Sequence, residues 1–255
     1  MTFIDTHTHL YLKEFEHDFD QVLERARNAG ISKFYLPAID SEVIDDMFKL
    51  ESIYPGEFFS MMGLHPCSVK ENYQEELGIV RRYLNKRKFA AVGEIGLDFF
   101  WDITFKDFQM EAFTTQMDWA LEYHLPIVIH SRNAMRETID LVKPYAEKGL
   151  CGIFHCFGDP YETAKEIVEM GFYLGIGGVV TYKKANMEES LRDIPLENIV
   201  LETDSPYLTP VPHRGKRNES SYILLIAERL AAIKKVSIEE VATITSANAE
   251  KIFGR

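Results

Sequence analysis

Eight short apolar or β-branched runs return along the chain about every 28 residues, and this spacing constrains the fold more than any other feature. The runs are Thr2–Asp5, Lys33–Ile39, Phe58–Gly63, Phe89–Glu94, Pro126–His130, Cys151–His155, Phe172–Ile176 and Asn198–Glu202. Such a step holds one strand, one helix and two connections, so eight steps predict a (β/α)8 TIM barrel. The intervening segments read as helices. Apolar residues recur at 3.6-residue spacing over Phe15–Ala26, with Gly30 as the stop signal, and again over Phe105–Tyr123. Thr138–Leu141, Tyr161–Met170 and Tyr222–Ala232 follow the same pattern. Beyond the eighth run, Ser237–Phe253 predicts one additional C-terminal helix, with Ser237 as N-cap and two acids in its first turn. No Pro- or Ser-rich linker interrupts the chain, so a single domain over 1–255 is expected. A doubly wound sheet shares the βα alternation. No G-x-G-x-x-G follows the first run, which weakens a dinucleotide-binding version of that rival.

The net charge of −12 argues against a protein coated with phosphate-binding side chains, and leaves a local basic site open. Cys67, Cys151 and Cys156 are an odd set without a C-x-x-C pair. They read as three small buried residues in a reducing compartment. The first residues lack a basic n-region and a long apolar run, and no stretch approaches the roughly 18 apolar residues of a membrane span. A soluble, cytoplasmic protein with no membrane partner and no obligate protein partner is expected.

Five of the eight histidines, His7, His9, His65, His130 and His155, fall at the C-terminal ends of predicted strands. In a barrel these ends surround one mouth, where the chemistry resides. His7 and His9, two apart, share a side under the strand period. Asp5, two residues earlier, could orient one of the imidazoles. Glu94 closes the fourth run between glycines, a setting that suits a carboxylate bridging two cations better than a solvated one. A buried salt bridge is the plainer alternative. Asp204 ends the eighth strand, next to the first in a closed ring, and Glu202 shares its side if the strand persists that far.

Two divalent ions are therefore expected. One would sit on His7, His9, Glu94 and Asp204, the other on Glu94, His130 and His155. Mixed imidazole and carboxylate ligands suit Zn, Mn or other first-row ions, whereas Mg prefers more oxygen. A pair of such ions activates water and stabilises attacking and leaving oxygens. Glu94 or Asp204 would take the proton of the attacking water. His65 would donate a proton to the leaving group or bind substrate; a structural histidine is the equal alternative. Arg132 follows His130 by two, and Arg214, Lys216 and Arg217 lie on the loop after strand eight, where barrel enzymes often hold phosphate. Trp101 and the Phe99–Phe100 pair on the strand-four loop could stack on a base, with packing as the expected role.

Together these residues resemble the TatD family of metal-dependent deoxyribonucleases and hydrolases of the amidohydrolase superfamily. The resemblance runs through Phe3-Ile4-Asp5-Thr6-His7-Thr8-His9-Leu10, Gly63-Leu64-His65-Pro66 and Gly93-Glu94-Ile95-Gly96-Leu97-Asp98. It continues in Ile129-His130-Ser131-Arg132, Phe154-His155-Cys156-Phe157, Leu201-Glu202-Thr203-Asp204-Ser205-Pro206 and Pro212-His213-Arg214-Gly215-Lys216-Arg217-Asn218-Glu219. Tyr11 departs from the Asp or Asn that the family often carries there. The resemblance implies a TIM barrel with His7, His9, Glu94, His130, His155 and Asp204 as ligands. It also implies phosphodiester hydrolysis, commonly 3′–5′ exonuclease action on DNA or another oligonucleotide at the barrel mouth. A relative acting on another ester or amide, including aminoacyl-tRNA esters, is the alternative. Strand four offers Glu94 and no lysine, which argues against the branches that bridge their metals with a carboxylated lysine. A non-catalytic scaffold is a third possibility, and an intact ligand set argues against it.

Overall fold

Eight parallel strands alternate with helices in the computed structural model, which describes residues 1–254. The strands are β1 (Phe3–Asp5), β2 (Ile31–Pro37), β3 (Phe58–Met61), β4 (Val92–Asp98), β5 (Ile127–Arg132), β6 (Gly152–Phe154), β7 (Tyr173–Ile176) and β8 (Ile199–Leu201). They pair in the order β1-β2-β3 and β4-β5-β6-β7-β8. Backbone hydrogen bonds join the two sheets at both seams. At the first seam Ala90 N donates to Ser60 O (3.0 Å), Met62 N to Ala91 O (3.1 Å) and Gly93 N to Met62 O (3.1 Å). At the second, Thr6 N donates to Leu201 O (3.1 Å), Asp204 N to His7 O (2.9 Å) and His9 N to Ser205 O (2.8 Å).

Asp5 clasps the second seam. Its carboxylate accepts from Thr203 N at 2.9 Å and from Thr203 Oγ1 at 2.6 Å. Burial raises its pKa to about 7, against the lowering effect of those hydrogen bonds. Asp5 therefore does not orient an imidazole as its spacing suggested. Thr203, two residues past β8 across the seam, supplies two donors, and they take the carboxylate first.

The interior of the ring is a layer with one residue from or beside every strand: Ile4, Tyr35, Met61, Ala91, Val128, Ile153, Tyr173 and Val200. Helix α9 (Ile238–Phe253) packs against β1 and β8 and closes this layer with Ala249 and Phe253. The Phe253 ring stacks on Tyr35 with centroids 3.8 Å apart. Ser237 caps α9 as expected, accepting from Glu240 N at 3.1 Å. The remaining helices lie outside the strands over a larger apolar cluster, among them α1 (Phe19–Asn28), α3 (Tyr73–Lys86) and α4 (Lys106–Tyr123).

Strand β4 differs from the expected run. It continues four residues past Glu94 because Gly96, Leu97 and Asp98 pair with His130, Ser131 and Arg132 of β5. Gly96 makes that possible: at φ +144° a Cβ would stand 2.0 Å from the His130 carbonyl oxygen. Phe15, expected in the first helix, belongs to a short 3-10 turn before it. Cys151 is exposed and Cys67 and Cys156 are partly buried, so the cysteines are not the uniformly buried set their composition suggested. No helix among the described residues is long and apolar enough to cross a membrane.

Candidate metal centre

The imidazoles converge on one carboxylate. Glu94, buried in the middle of β4, turns its two oxygens to different neighbours. Oε2 lies 3.1 Å from His7 Nε2 and 3.9 Å from His9 Nε2. Oε1 lies 2.9 Å from His130 Nδ1, 3.4 Å from His65 Nε2 and 3.7 Å from His155 Nε2. Asp204 completes the first group, with Oδ1 3.4 Å from His9 Nε2 and 3.7 Å from His7 Nε2. His7 and His155 stack face to face at 3.6 Å between centroids. The side chains expected as ligands, together with His65, thus meet at one mouth of the ring, with Glu94 and His130 inside their strands and the others past their strand ends.

Electrostatics follow from this crowding. Burial opposes the charge of Glu94, yet the imidazoles of His65, His7 and His155 hold its carboxyl well below the usual range. Burial likewise disfavours a charged His155, but the carboxylates of Glu202, Glu94 and Asp204 raise it to about 10. His130 and His65 are raised against burial by the same kind of partner, chiefly Asp98 for the former and Glu94 for the latter. His7 is lowered, by burial and by the adjacent His155.

The donor set fits divalent cations. Several groups of three His, Asp or Glu atoms lie within 4.8 Å of one another, including His7, His9 and Glu94, and His7, His155 and Asp204. Both ring nitrogens of His7 are buried without a hydrogen-bond partner. Buried polar atoms rarely remain unpaired unless a ligand takes them. Mixed imidazole and carboxylate donors of this kind suit first-row divalent ions.

Three supporting residues were not assigned their partners from the sequence. His9 Nδ1 lies 2.8 Å from Tyr11 Oη, whose hydroxyl donates to Pro37 O. The tyrosine oxygen is therefore the acceptor, which places a proton on His9 Nδ1 and leaves Nε2 as the nitrogen facing the cluster. Asp98 Oδ2 lies 2.9 Å from His130 Nε2. It sits four residues beyond Glu94, an even offset that places both on one face of an extended strand, and that is the signal that could have found it. Glu202 meets the outer edge of His155, Nδ1 to Oε1 at 2.9 Å, because β8 stops at Leu201 and Asp204 turns away at φ +54°.

The mouth is a cavity of about 750 Å³. Arg132 and Trp101 line it, as do Tyr207 and Leu208 of the loop after β8. Arg214, on that loop, lies over the Tyr182 ring at 4.1 Å. Lys216 accepts a hydrogen bond through its backbone oxygen from Thr209. Arg217 is not brought to the mouth set. Its guanidinium forks onto Asp18 at 2.7 and 2.6 Å, and also donates to Glu14 O. Asp18, just before α1, offers a fixed bidentate acceptor that outcompetes a free position.

Comparison with known proteins agrees with this geometry. Residues 4–254 match the family described as TatD related DNase. The metal-dependent hydrolase YabD of Bacillus subtilis (strain 168) is 37% identical over 250 residues, 98% of each chain. The 3′-5′ ssDNA/RNA exonuclease TatD of Erwinia tasmaniensis is 29% identical over 98% of each. The crystal structure of YjjV, a TatD homologue from Escherichia coli K12, superposes with a TM-score of 0.93 at 28% identity, covering 99% of this chain and 98% of that one. This chain belongs to the TatD-related DNase family and is a metal-dependent hydrolase.

Proposed function

We propose that this chain, acting as one domain, is a phosphodiesterase that shortens DNA from a 3′ end with two divalent ions per chain. The observation that carries the reading is the division of Glu94. One oxygen faces His7 and His9, the other faces His130, His65 and His155. His7, His9, Glu94 and Asp204 would hold one ion, and Glu94, His130 and His155 the other. The mixed donors favour Mn or Zn over Mg. When bound, the ions supply positive charge to the phosphoryl group and make water acidic enough to attack near neutral pH.

The chain's own side chains do the rest. Asp204 is the more open of the two carboxylates and takes the proton of the attacking water. His65 accepts from Cys67 N at Nδ1 (3.0 Å), so its proton sits on Nε2, and that proton goes to the leaving oxygen. Arg132 binds phosphate at the cavity wall, and Arg214 and Lys216, which lie on the neighbouring loop outside the cavity lining, extend the contact to a longer strand. The name of the Erwinia relative supports a single-stranded substrate. A reducing, cytoplasmic setting goes with three free cysteines.

The test is to strip the protein with a chelator, restore Mn, Mg or Zn, and incubate it with 5′-labelled single-stranded DNA. A ladder shortening from the 3′ end is expected. Hydrolysis of carboxylic esters or amides with no cleavage of any diester would overturn the reading.

A further inference from the structure

Outside the ligand cluster, the rim carries an apolar surface that packing does not explain. Phe100 is 49% and Trp101 69% exposed. Their rings meet edge to face, with centroids 4.8 Å apart. Arg132 lies over both, 3.9 Å from the Phe100 centroid and 5.1 Å from that of Trp101. An indole left in water beside a guanidinium has much of its apolar face open to a further flat group.

The position of this surface is set by the centre itself. Asp98 Oδ1 accepts from Phe100 N at 3.0 Å and from Trp101 N at 3.3 Å, while Oδ2 meets His130 Nε2. Asp98 is in turn fixed through its backbone by Gln109, at 2.9 and 3.1 Å. One carboxylate therefore ties the aromatic loop to a residue of the cluster, and Trp101 and Arg132 both line the mouth.

We propose that Trp101 and Phe100, backed by Arg132, form a stacking platform for the nucleobase next to the diester being cleaved. The proposal rests on the phosphodiester reading above and adds the part of the substrate that reading leaves unplaced. A planar base is the group that accompanies a phosphodiester and fits a bare indole beside a guanidinium. Stacking of this kind accepts any base and suits single strands, whose bases are free to splay. It also answers how a chain of net charge −12 holds a polyanion, because part of the hold comes from a neutral face.

A thermodynamic cycle tests it. Cleavage of a single-stranded oligodeoxynucleotide with an ordinary 3′ nucleotide is compared with that of one ending in an abasic sugar, using wild type, Trp101→Ala and Trp101→Phe. Removing the base or the indole should each lower kcat/KM about tenfold, and doing both should cost little more than either alone. Trp101→Phe should recover most of the loss. Equal losses for Trp101→Ala on both oligonucleotides, or no loss on either, would overturn the platform. A binding arm separates this from failure of the nuclease reading. In Trp119→Phe the sole remaining tryptophan is Trp101. Its fluorescence should be quenched by a deoxynucleoside monophosphate and not by deoxyribose phosphate. Absence of quenching overturns the platform even if diesters are cleaved. Quenching without cleavage leaves the platform standing and removes the nuclease.

Discussion

His155 Nδ1 stands 2.9 Å from Oε1 of Glu202, a carboxylate with no exposed surface, while Nε2 of the same ring points to Glu94 and Asp204. The contact is an ion-pair approach without hydrogen-bond geometry, and the negative charge of Glu202 favours the ring proton on Nδ1 when Nε2 serves as a ligand. Glu202 Oε1 also accepts from Cys156 N at 2.6 Å, so its own position is held. Glu202→Gln should keep the fold, by circular dichroism, and weaken Mn or Zn binding about 10- to 100-fold in a chelator competition assay. Unchanged affinity would show that the contact is only structural.

Tyr11 serves His9 in the same way, through a hydroxyl that is committed to Pro37 O. Tyr11→Phe removes the acceptor and frees the ring to choose its tautomer. The expected result is about a tenfold loss of metal affinity, with about 1 kcal/mol of stability lost for the broken hydrogen bonds. Chemical denaturation and metal titration of the same variant separate the two effects.

Asp5 gives the fold a pH dependence. Burial raises it to about 7, whereas the unfolded chain ionises it near 3.8. Folding takes up a proton between these values, so the stabilising contribution is complete below about pH 4 and is lost as pH rises through 7. The loss should amount to about 4 kcal/mol between pH 4 and pH 8. Thermal melts of metal-free protein across this range should show a falling midpoint. Asp5→Asn, which has no proton to lose, should flatten the trend; a variant with the wild-type slope would assign the dependence to another group.

The two arginines separate substrate binding from scaffolding. Arg132→Ala should raise KM for an oligonucleotide about tenfold, the scale of a lost charged hydrogen bond. Arg217→Ala should leave KM close to wild type and cost no more than about 1 kcal/mol, because its pair with Asp18 is partly exposed. Steady-state kinetics with both variants decides this, and a KM effect confined to Arg217 would reverse the assignment.

The barrel was legible because apolar runs of strand length recur at one spacing, and barrel geometry then sends the ends of those runs to one mouth. That is why His7, His9, Glu94, His130, His155 and Asp204 could be grouped before any distance was known. What stayed hidden depends on contacts made across the ring. Asp5 chooses Thr203, 198 positions away, and Arg217 chooses Asp18, 199 positions away. The extension of β4 to Asp98 was masked by Gly93 and Gly96, which break the apolar run while permitting close pairing with β5. The exposure of Trp101 follows from the turn that Asp98 imposes, and composition carries no trace of it.

The ring is made of two arcs, one of three strands and one of five. His7 and His9 ride on the shorter arc, whereas Glu94, His130, His155 and Asp204 belong to the longer one. The proposed set of His7, His9, Glu94 and Asp204 draws on both arcs, whereas Glu94, His130 and His155 all lie on the longer one, so the first of the two cations would be a rivet driven through the place where the arcs meet. Loading the protein with metal should therefore resist the parting of the arcs themselves, and an arc that has come adrift surrenders its ion in the same event.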